Sequence, residues 1–432
     1  MLTGLLITNI KSIVQVEEVP KLKVCGHDMS EIQTIDNSFL YLENGLISDF
    51  GLMTDLKTTK TLSENPNVEI IDAKDKYVFP SFCDSHTHLV YSGSRETEYI
   101  DKIRGLSYSE IAKRGGGILN SAKKLHETSE DELFIQSNKR IDEIISFGTG
   151  AVEIKSGYGL NLDDELKMLR VIRRIKDHSP VEVRATFLGA HAIPEEYKSH
   201  KDKYVDIVIN EMIPVVASED LADFIDVFCD KGFFSVEDTE RILMAGIKYG
   251  LVAKIHANEL DYSGGIQAAV KYNALSADHL EFTGDDEIKA LLGSETMPTL
   301  LPGSAFFLGM NDPPARKMMS AGLPLALASD YNPGSSPSGN MKFIMSLGCI
   351  KLKMLPEEVI NAVTINSAYA MGISETHGSI ARGKVANIFI TKEIPTIEFM
   401  PYAFGSNLIE TIILKGKIYP PTPLKGGSFS TP

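Results

Sequence analysis

The segment Val78-Phe79-Pro80-Ser81-Phe82-Cys83-Asp84-Ser85-His86-Thr87-His88 constrains this chain more than any other. An apolar run leads into two histidines spaced i, i+2, which reads as a buried strand with an imidazole pair at its end. Side chains alternate faces along a strand, so His86 and His88 point the same way. If the strand lines a barrel, both imidazoles face inward at its mouth and supply half of a metal site.

Beyond His88 the chain alternates strands and helices. Strand-like runs cover 150–154, 181–188, 224–229, 251–256, 274–279, 295–300 and 323–330. Amphipathic helical stretches lie between several of them, for example over 130–146 and 163–176. Eight such units in about 270 residues match a (β/α)8 TIM barrel, which typically takes ~250 residues. A doubly wound open sheet is the alternative. It fits less well because no glycine-rich phosphate loop follows a strand; Gly115-Gly116-Gly117 comes after helix-like sequence instead. Residues 1–77 are β-rich, with short strands over 5–7, 13–16, 38–42 and 46–50. Residues 378–432 are similar, with strands over 385–390 and 408–414. Neither end makes a domain alone; together they pair into one small sheet beside the barrel.

The formal charge of −15 argues against nucleic acid or an anionic membrane surface as partner. A small anionic substrate would need a local cation. Cys25, Cys83, Cys229 and Cys349 are scattered without a CxxC pair, as expected of reduced thiols in a reducing compartment. The N-terminus shows no signal-peptide pattern, and no apolar run reaches the ~18 residues of a membrane span. These features make the cytoplasm the expected location.

Barrel enzymes carry their chemistry at the C-terminal ends of the strands. Those ends here hold His86 and His88, then His256, His279 and Asp330, and His191 lies just after the third strand. Imidazoles with a carboxylate suit one divalent ion, Zn or Fe, with a position left for water. His27, His126, His178, His200 and His377 lie in polar surroundings away from strand ends and read as surface residues.

This pattern resembles the amidohydrolase superfamily of metal-dependent hydrolases. Its finer motifs resemble the imidazolonepropionase family within it. They are Asp84-Ser85-His86-Thr87-His88-Leu89-Val90 with Gly93-Ser94-Arg95-Glu96, Ile111-Ala112 before Gly115-Gly116-Gly117-Ile118, Glu153-Ile154-Lys155-Ser156-Gly157-Tyr158-Gly159-Leu160, Phe187-Leu188-Gly189-Ala190-His191, His256-Ala257-Asn258-Glu259, and Ser329-Asp330-Tyr331-Asn332-Pro333-Gly334-Ser335. The resemblance implies a composite β-sandwich domain from residues 1–78 plus 366–432, flanking a catalytic barrel over 79–365. It implies that His86, His88, His256 and Asp330 hold one metal ion. Glu259, His279 and Asp330 would be catalytic, and Glu259 would also touch substrate. Arg95, Tyr108, Tyr158, His191, Asn332, Gly334 and Ser335 would contact substrate or product.

Many superfamily members hold two metals bridged by a carboxylated lysine on the fourth strand. Here that strand runs into Cys229-Asp230-Lys231, with Lys231 one step too far, so a mononuclear site is expected. The family usually has glutamate where Asp230 stands. The implied reaction is hydrolysis of the ring amide of 4-imidazolone-5-propanoate to N-formimidoyl-L-glutamate, by a homodimer. A heterocycle or nucleobase deaminase would share the ligands and differ in the pocket. A non-catalytic relative would be expected to lack ligands that this chain retains.

Overall fold

The computed structural model describes residues 4–55, 60, 62–64, 67–106, 110 and 116–419. It begins with strands β1 (Gly4–Val14), β2 (Thr34–Glu43), β3 (Leu46–Leu52), β4 (Val68–Asp72) and β5 (Tyr77–Pro80). The separate strands expected over 5–7 and 13–16 are one strand, β1. Its pairing with β2 shifts register between Ile7 and Ile10, and Asn9 there takes φ 54°. Asparagine tolerates this left-handed conformation, so the strand bulges and continues.

The run expected as one strand over 78–88 is two strands. β5 stays in the end-built sheet, parallel to β1. After Ser81, β6 (Phe82–Thr87) enters the barrel. Phe79 and Phe82 pack against the same Phe389 ring, at 5.4 and 5.0 Å between centroids. Both strands are fully buried, so hydrophobic patterning does not mark the crossing between sheets.

From β6 the chain winds through α1 (Glu96–Ile103), α2 (Ile118–His126) and α3 (Glu130–Ser146) to β7 (Thr149–Lys155), then through α4 (Leu162–His178) to β8 (Glu182–Ala190). The helix α3 spans the expected 130–146. Ser129 caps it by accepting from the Glu132 amide, and three acidic residues occupy its first turn. Next come strands β9 (Phe224–Cys229), β10 (Val252–Ala257), β11 (Ser276–His279), β12 (Met297–Leu300) and β13 (Ala326–Leu327). All neighbours from β6 to β13 pair in parallel. The barrel closes through a parallel bridge between Thr87 and Tyr331. The Asp330 amide donates to His86 O, and the His88 amide donates to Tyr331 O, each at 3.0 Å. Asp84 braces this seam by accepting from the Ser329 amide at 2.9 Å and from its hydroxyl.

The chain then returns to the first sheet with β14 (Ile388–Thr391), β15 (Ile409–Leu414) and β16 (Lys417–Tyr419). The sheet order is β16-β15-β14-β5-β1-β2-β3, with β4 beside β1. Both chain ends therefore build one hydrogen-bonded sheet, whose core combines Ile7, Ile13 and Leu40 with Ile388, Ile390 and Ile413. No described helix is long and apolar enough to cross a membrane.

His377 is not the surface residue its polar neighbours suggested. It is buried beside the Lys384 ammonium, which donates to the His377 carbonyl at 3.1 Å, and burial pushes its pKa down to about 4. His27, His126, His178 and His200 are exposed, as expected.

Candidate metal and active site

Barrel closure brings the strand-end residues to one point. The Nε2 atoms of His86 and His88 lie 3.7 and 3.6 Å from Asp330 Oδ1, and His256 Nε2 lies 3.4 Å from His88 Nε2. Donors at 2.0–2.2 Å from a tetrahedral ion stand roughly 3.4 Å apart, so this set fits a divalent metal ion. His86 Nε2 is buried and, among the described residues, has no hydrogen-bond partner, which leaves it free to bind an ion. His191 and His279 form further triads with the same histidines: His88, His191 and His256, and His86, His256 and His279. The neutral imidazole is the ligating form. Burial, reinforced by Lys155 and neighbouring imidazoles, pushes His86 well below its ordinary value. Burial does the same for His88 and His279, and takes His191 down to about 3.

Backbone geometry at the rim is unusual. His279 and Asp330 take φ 83° and 52°, in the left-handed region that residues with a Cβ seldom occupy. Such strain persists where the surroundings fix it, and it is common at functional sites.

Beneath these imidazoles lies a buried ionic layer. His86 Nδ1 is 2.7 Å from Asp278 Oδ2, and His256 Nδ1 is 2.9 Å from Asp226 Oδ2. Carboxylates so placed fix the ring orientation and raise the basicity of the opposite nitrogen. Lys155 Nζ joins them: it donates to Asp226 at 2.8 Å and to Glu153 at 2.5 Å, and stands 3.6 Å from Asp278. Lys254 pairs with the other Glu153 oxygen. Burial alone would push Lys155 down, but Asp226, Glu153 and Asp278 hold it above its ordinary value. Burial would raise Asp226, but His256 and Lys155 hold it well below the usual carboxylate range.

Above the histidine cluster is a cavity of about 750 Å³ lined by Arg95, Tyr158, His191, Glu259, His279, Asp330, Asn332, Gly334 and Ser335, among others. Tyr158 is buried, its ring 5.9 Å from His88 and 5.4 Å from His191. His191 stacks on His88 at 4.9 Å, and its Nδ1 sits 3.0 Å from Gly157 O. Burial and the charges of Asp330 and Asp230 push Glu259 up to about 8, with Lys102 opposing. Burial likewise takes Asp330 up to about 6, against His256 and several hydrogen bonds.

The segment after Asp330 is a clamp. Asn332 Oδ1 accepts from the Gly334 and Ser335 amides, and its Nδ2 donates to Asp330 O and Ser335 Oγ. Ser335 Oγ reaches Asp330 Oδ2 at 3.2 Å. Gly334 leaves room for Arg95: a Cβ there would collide with the guanidinium, Nη1 first. Arg95 also donates from Nε to Glu98 at 2.9 Å.

The sequence profile of the amidohydrolase family matches residues 77–419. The chain belongs to this family. It is 55% identical over 413 residues to an imidazolonepropionase of Flavobacterium johnsoniae, covering 96% of this chain and 99% of that protein. It is 42% identical to an imidazolonepropionase of Alkaliphilus oremlandii, covering 95% and 97%. Among solved structures, Escherichia coli guanine deaminase superposes with TM-score 0.72 at 13% identity, covering 97% of this chain and 98% of that one. A zinc-bound adenosine deaminase from Xanthomonas campestris gives 0.67 at 14%, covering 96% and 92%. At such identity these two likenesses speak to fold alone.

In this amidohydrolase the structure brings every expected site residue into one place except Tyr108, which lies outside the described residues, as do Ile111, Ala112 and Gly115. Gly117 donates its amide to Glu98, the carboxylate that also accepts from Arg95. Lys231 is exposed and paired with Asp261 at 2.7 Å, far from a bridging role. Asp230 accepts from the Leu260 amide at 2.8 Å and so holds the loop that carries Glu259. Asp226, Asp278, Lys155 and Lys254 were not among the residues expected at the site. Their signal was present: each is a charged residue on an apolar barrel strand, and Lys254 sits two positions before His256 on the same face.

Proposed function

We propose that this chain hydrolyses the ring amide of 4-imidazolone-5-propanoate to N-formimidoyl-L-glutamate. The observation that carries the reading is one cavity with both chemistries such a substrate needs. Convergent imidazole and carboxylate donors stand at its floor, and the Arg95 guanidinium stands over Gly334 at its wall. Near-full-length identity to proteins named imidazolonepropionase supports the same conclusion.

His86, His88, His256 and Asp330 would hold one divalent ion, Zn or Fe. Bound there, it supplies hydroxide near neutral pH and polarises the amide carbonyl. Asp330 takes the proton released from the attacking water. His279, neutral in its buried position, donates to the developing oxyanion. As oxygen adds to the carbonyl carbon, the ring C–N bond breaks and the departing nitrogen needs a proton. Glu259, a carboxyl that holds its proton near neutrality, delivers it. Arg95 binds the propionate through a planar charge-assisted pair, Tyr158 and His191 bound the ring, and Asn332, Gly334 and Ser335 shape the wall. The same reading extends to a cytoplasmic homodimer, in keeping with four free thiols and the family resemblance.

The test is an ultraviolet assay of imidazolonepropanoate disappearance by metal-loaded enzyme, with guanine and cytosine as rival substrates. Turnover of the anionic imidazolone with no deamination is expected. Preference for a neutral base would replace this reading with the deaminase one.

A further inference from the structure

Four charged residues line the cavity among those described: Arg95, Lys102, Glu259 and Asp330. Arg95 is already matched. Its Nε donates to Glu98, whose carboxylate also accepts from the Gly117 amide at 3.0 Å and Asn120 Nδ2 at 2.9 Å. Arg95 and Glu98 thus form a neutral, anchored unit. Glu259 and Asp330 are acids. Lys102 differs from all three: its Nζ is buried and, among the described residues, has no hydrogen-bond partner. It lies over the face of Phe307, 5.1 Å from the ring centroid.

An ammonium shielded from water without an acceptor is costly, and unsatisfied buried groups are rare enough to require a reason. Burial pushes Lys102 down to about 8. Repulsion from Arg95 adds to this, while Glu98 and Glu259 act the other way. The side chain therefore lies within electrostatic reach of both Arg95 and Glu259. Glu98 is bonded to Arg95, whereas Lys102 has Glu98 and Glu259 only within electrostatic reach and is bonded to neither.

We propose that Lys102 is a second cation of the carboxylate subsite, completing with Arg95 the recognition of an anionic tail on the substrate. On the hydrolase reading above, on which this rests, that tail is the propionate. Arg95 supplies the planar fork and Lys102 an unbonded ammonium; the incoming carboxylate is the acceptor that the ammonium lacks among the described residues. Lys102 then determines specificity for acid over amide or alkyl tails.

The experiment uses metal-loaded full-length enzyme and the variants Lys102→Met, Lys102→Arg and Arg95→Met. Kinetics are measured with imidazolonepropanoate. Binding is measured by calorimetry with 3-(imidazol-4-yl)propanoate, which lacks the scissile carbonyl, and with its carboxamide. Lys102→Met is expected to raise KM by about tenfold or more, the scale of one charge-assisted bond, with kcat and metal content held. It should weaken the acid probe and leave the carboxamide unchanged, and Lys102→Arg should restore most of the loss. A purely structural lysine would not separate acid from carboxamide. If Lys102→Met leaves KM and acid affinity at wild-type values while Arg95→Met weakens both, Arg95 acts alone and the proposal is wrong. If wild type fails to hydrolyse imidazolonepropanoate, the hydrolase reading falls instead. The acid-to-carboxamide affinity ratio of wild type against Lys102→Met then still decides the role of Lys102.

Discussion

Replacing Lys155 with Met tests how the ionic layer beneath His86 and His256 works. The wild-type ammonium is fully buried and faces Glu153, Asp226 and Asp278 at 2.5, 2.8 and 3.6 Å. With Lys254, two cations there face three carboxylates. The variant keeps the stem but leaves one cation against three acids. Removing one partner of a buried pair costs about 3–5 kcal/mol, chiefly through the charge left behind. Asp226 and Asp278 respond by binding protons more readily. A protonated carboxyl is a poorer acceptor for Nδ1–H, so His256 and His86 lose orientation and basicity together. Loss of such an outer partner typically weakens metal affinity by about 10–100-fold, equivalent to about 1.4–2.7 kcal/mol. The assay is Zn competition against a chromophoric chelator, alongside thermal unfolding of the same samples. Lys384→Met is the control. That lysine is also buried, but its Nζ serves Ser374 O, His377 O and Ser379 Oγ away from the site. It should destabilise the fold and leave metal affinity alone. The double variant Lys155→Met/Asp226→Asn should lose less metal affinity than the sum of the two singles, because both changes share the Lys155–Asp226 contact. Wild-type metal affinity in Lys155→Met, or an equal loss in Lys384→Met, would refute the argument.

The same geometry sets four further outcomes. Elemental analysis should give close to one metal equivalent per chain; two tightly held equivalents with a modified lysine would overturn the mononuclear site. His256→Ala should strip most of the metal and abolish activity while far-ultraviolet dichroism stays near wild type, since the barrel core lies in layers below the mouth. Glu259→Ala and His279→Ala should each keep the metal and lower kcat by about 10²-fold or more, and metal loss matching His256→Ala would make the residue a ligand instead. Gly334→Ala drives a methyl into Arg95 Nη1, which the flexible guanidinium can escape only by leaving its place. It should therefore raise KM about as much as Arg95→Met does, with little change in unfolding temperature; an unaltered KM would show that Arg95 works from another position.

The parts of this protein legible in its sequence are those governed by short-range periodicity. Alternation along a strand puts His86 and His88 on one face wherever the strand lies. A serine cap, acidic first turn and apolar stripe mark α3 without any tertiary information. Eight strand signals at regular spacing imply a barrel, and the barrel implies that strand ends meet. Tertiary structure decided the rest, because the relevant partners are remote. Asp278 reaches His86 from 192 positions away, and Lys155 reaches Asp226 from 71. A charged residue on an apolar strand looks like an exposed edge until closure supplies its counter-ion. The break at Ser81 is invisible to hydropathy because both sides are buried, in different sheets. His377 sits among polar neighbours in sequence but is buried where the returning chain packs. Nothing in the sequence pattern singles out Lys102. Only the fold withdraws its ammonium from water, sets it within electrostatic reach of Arg95 and leaves it without an acceptor among the described residues.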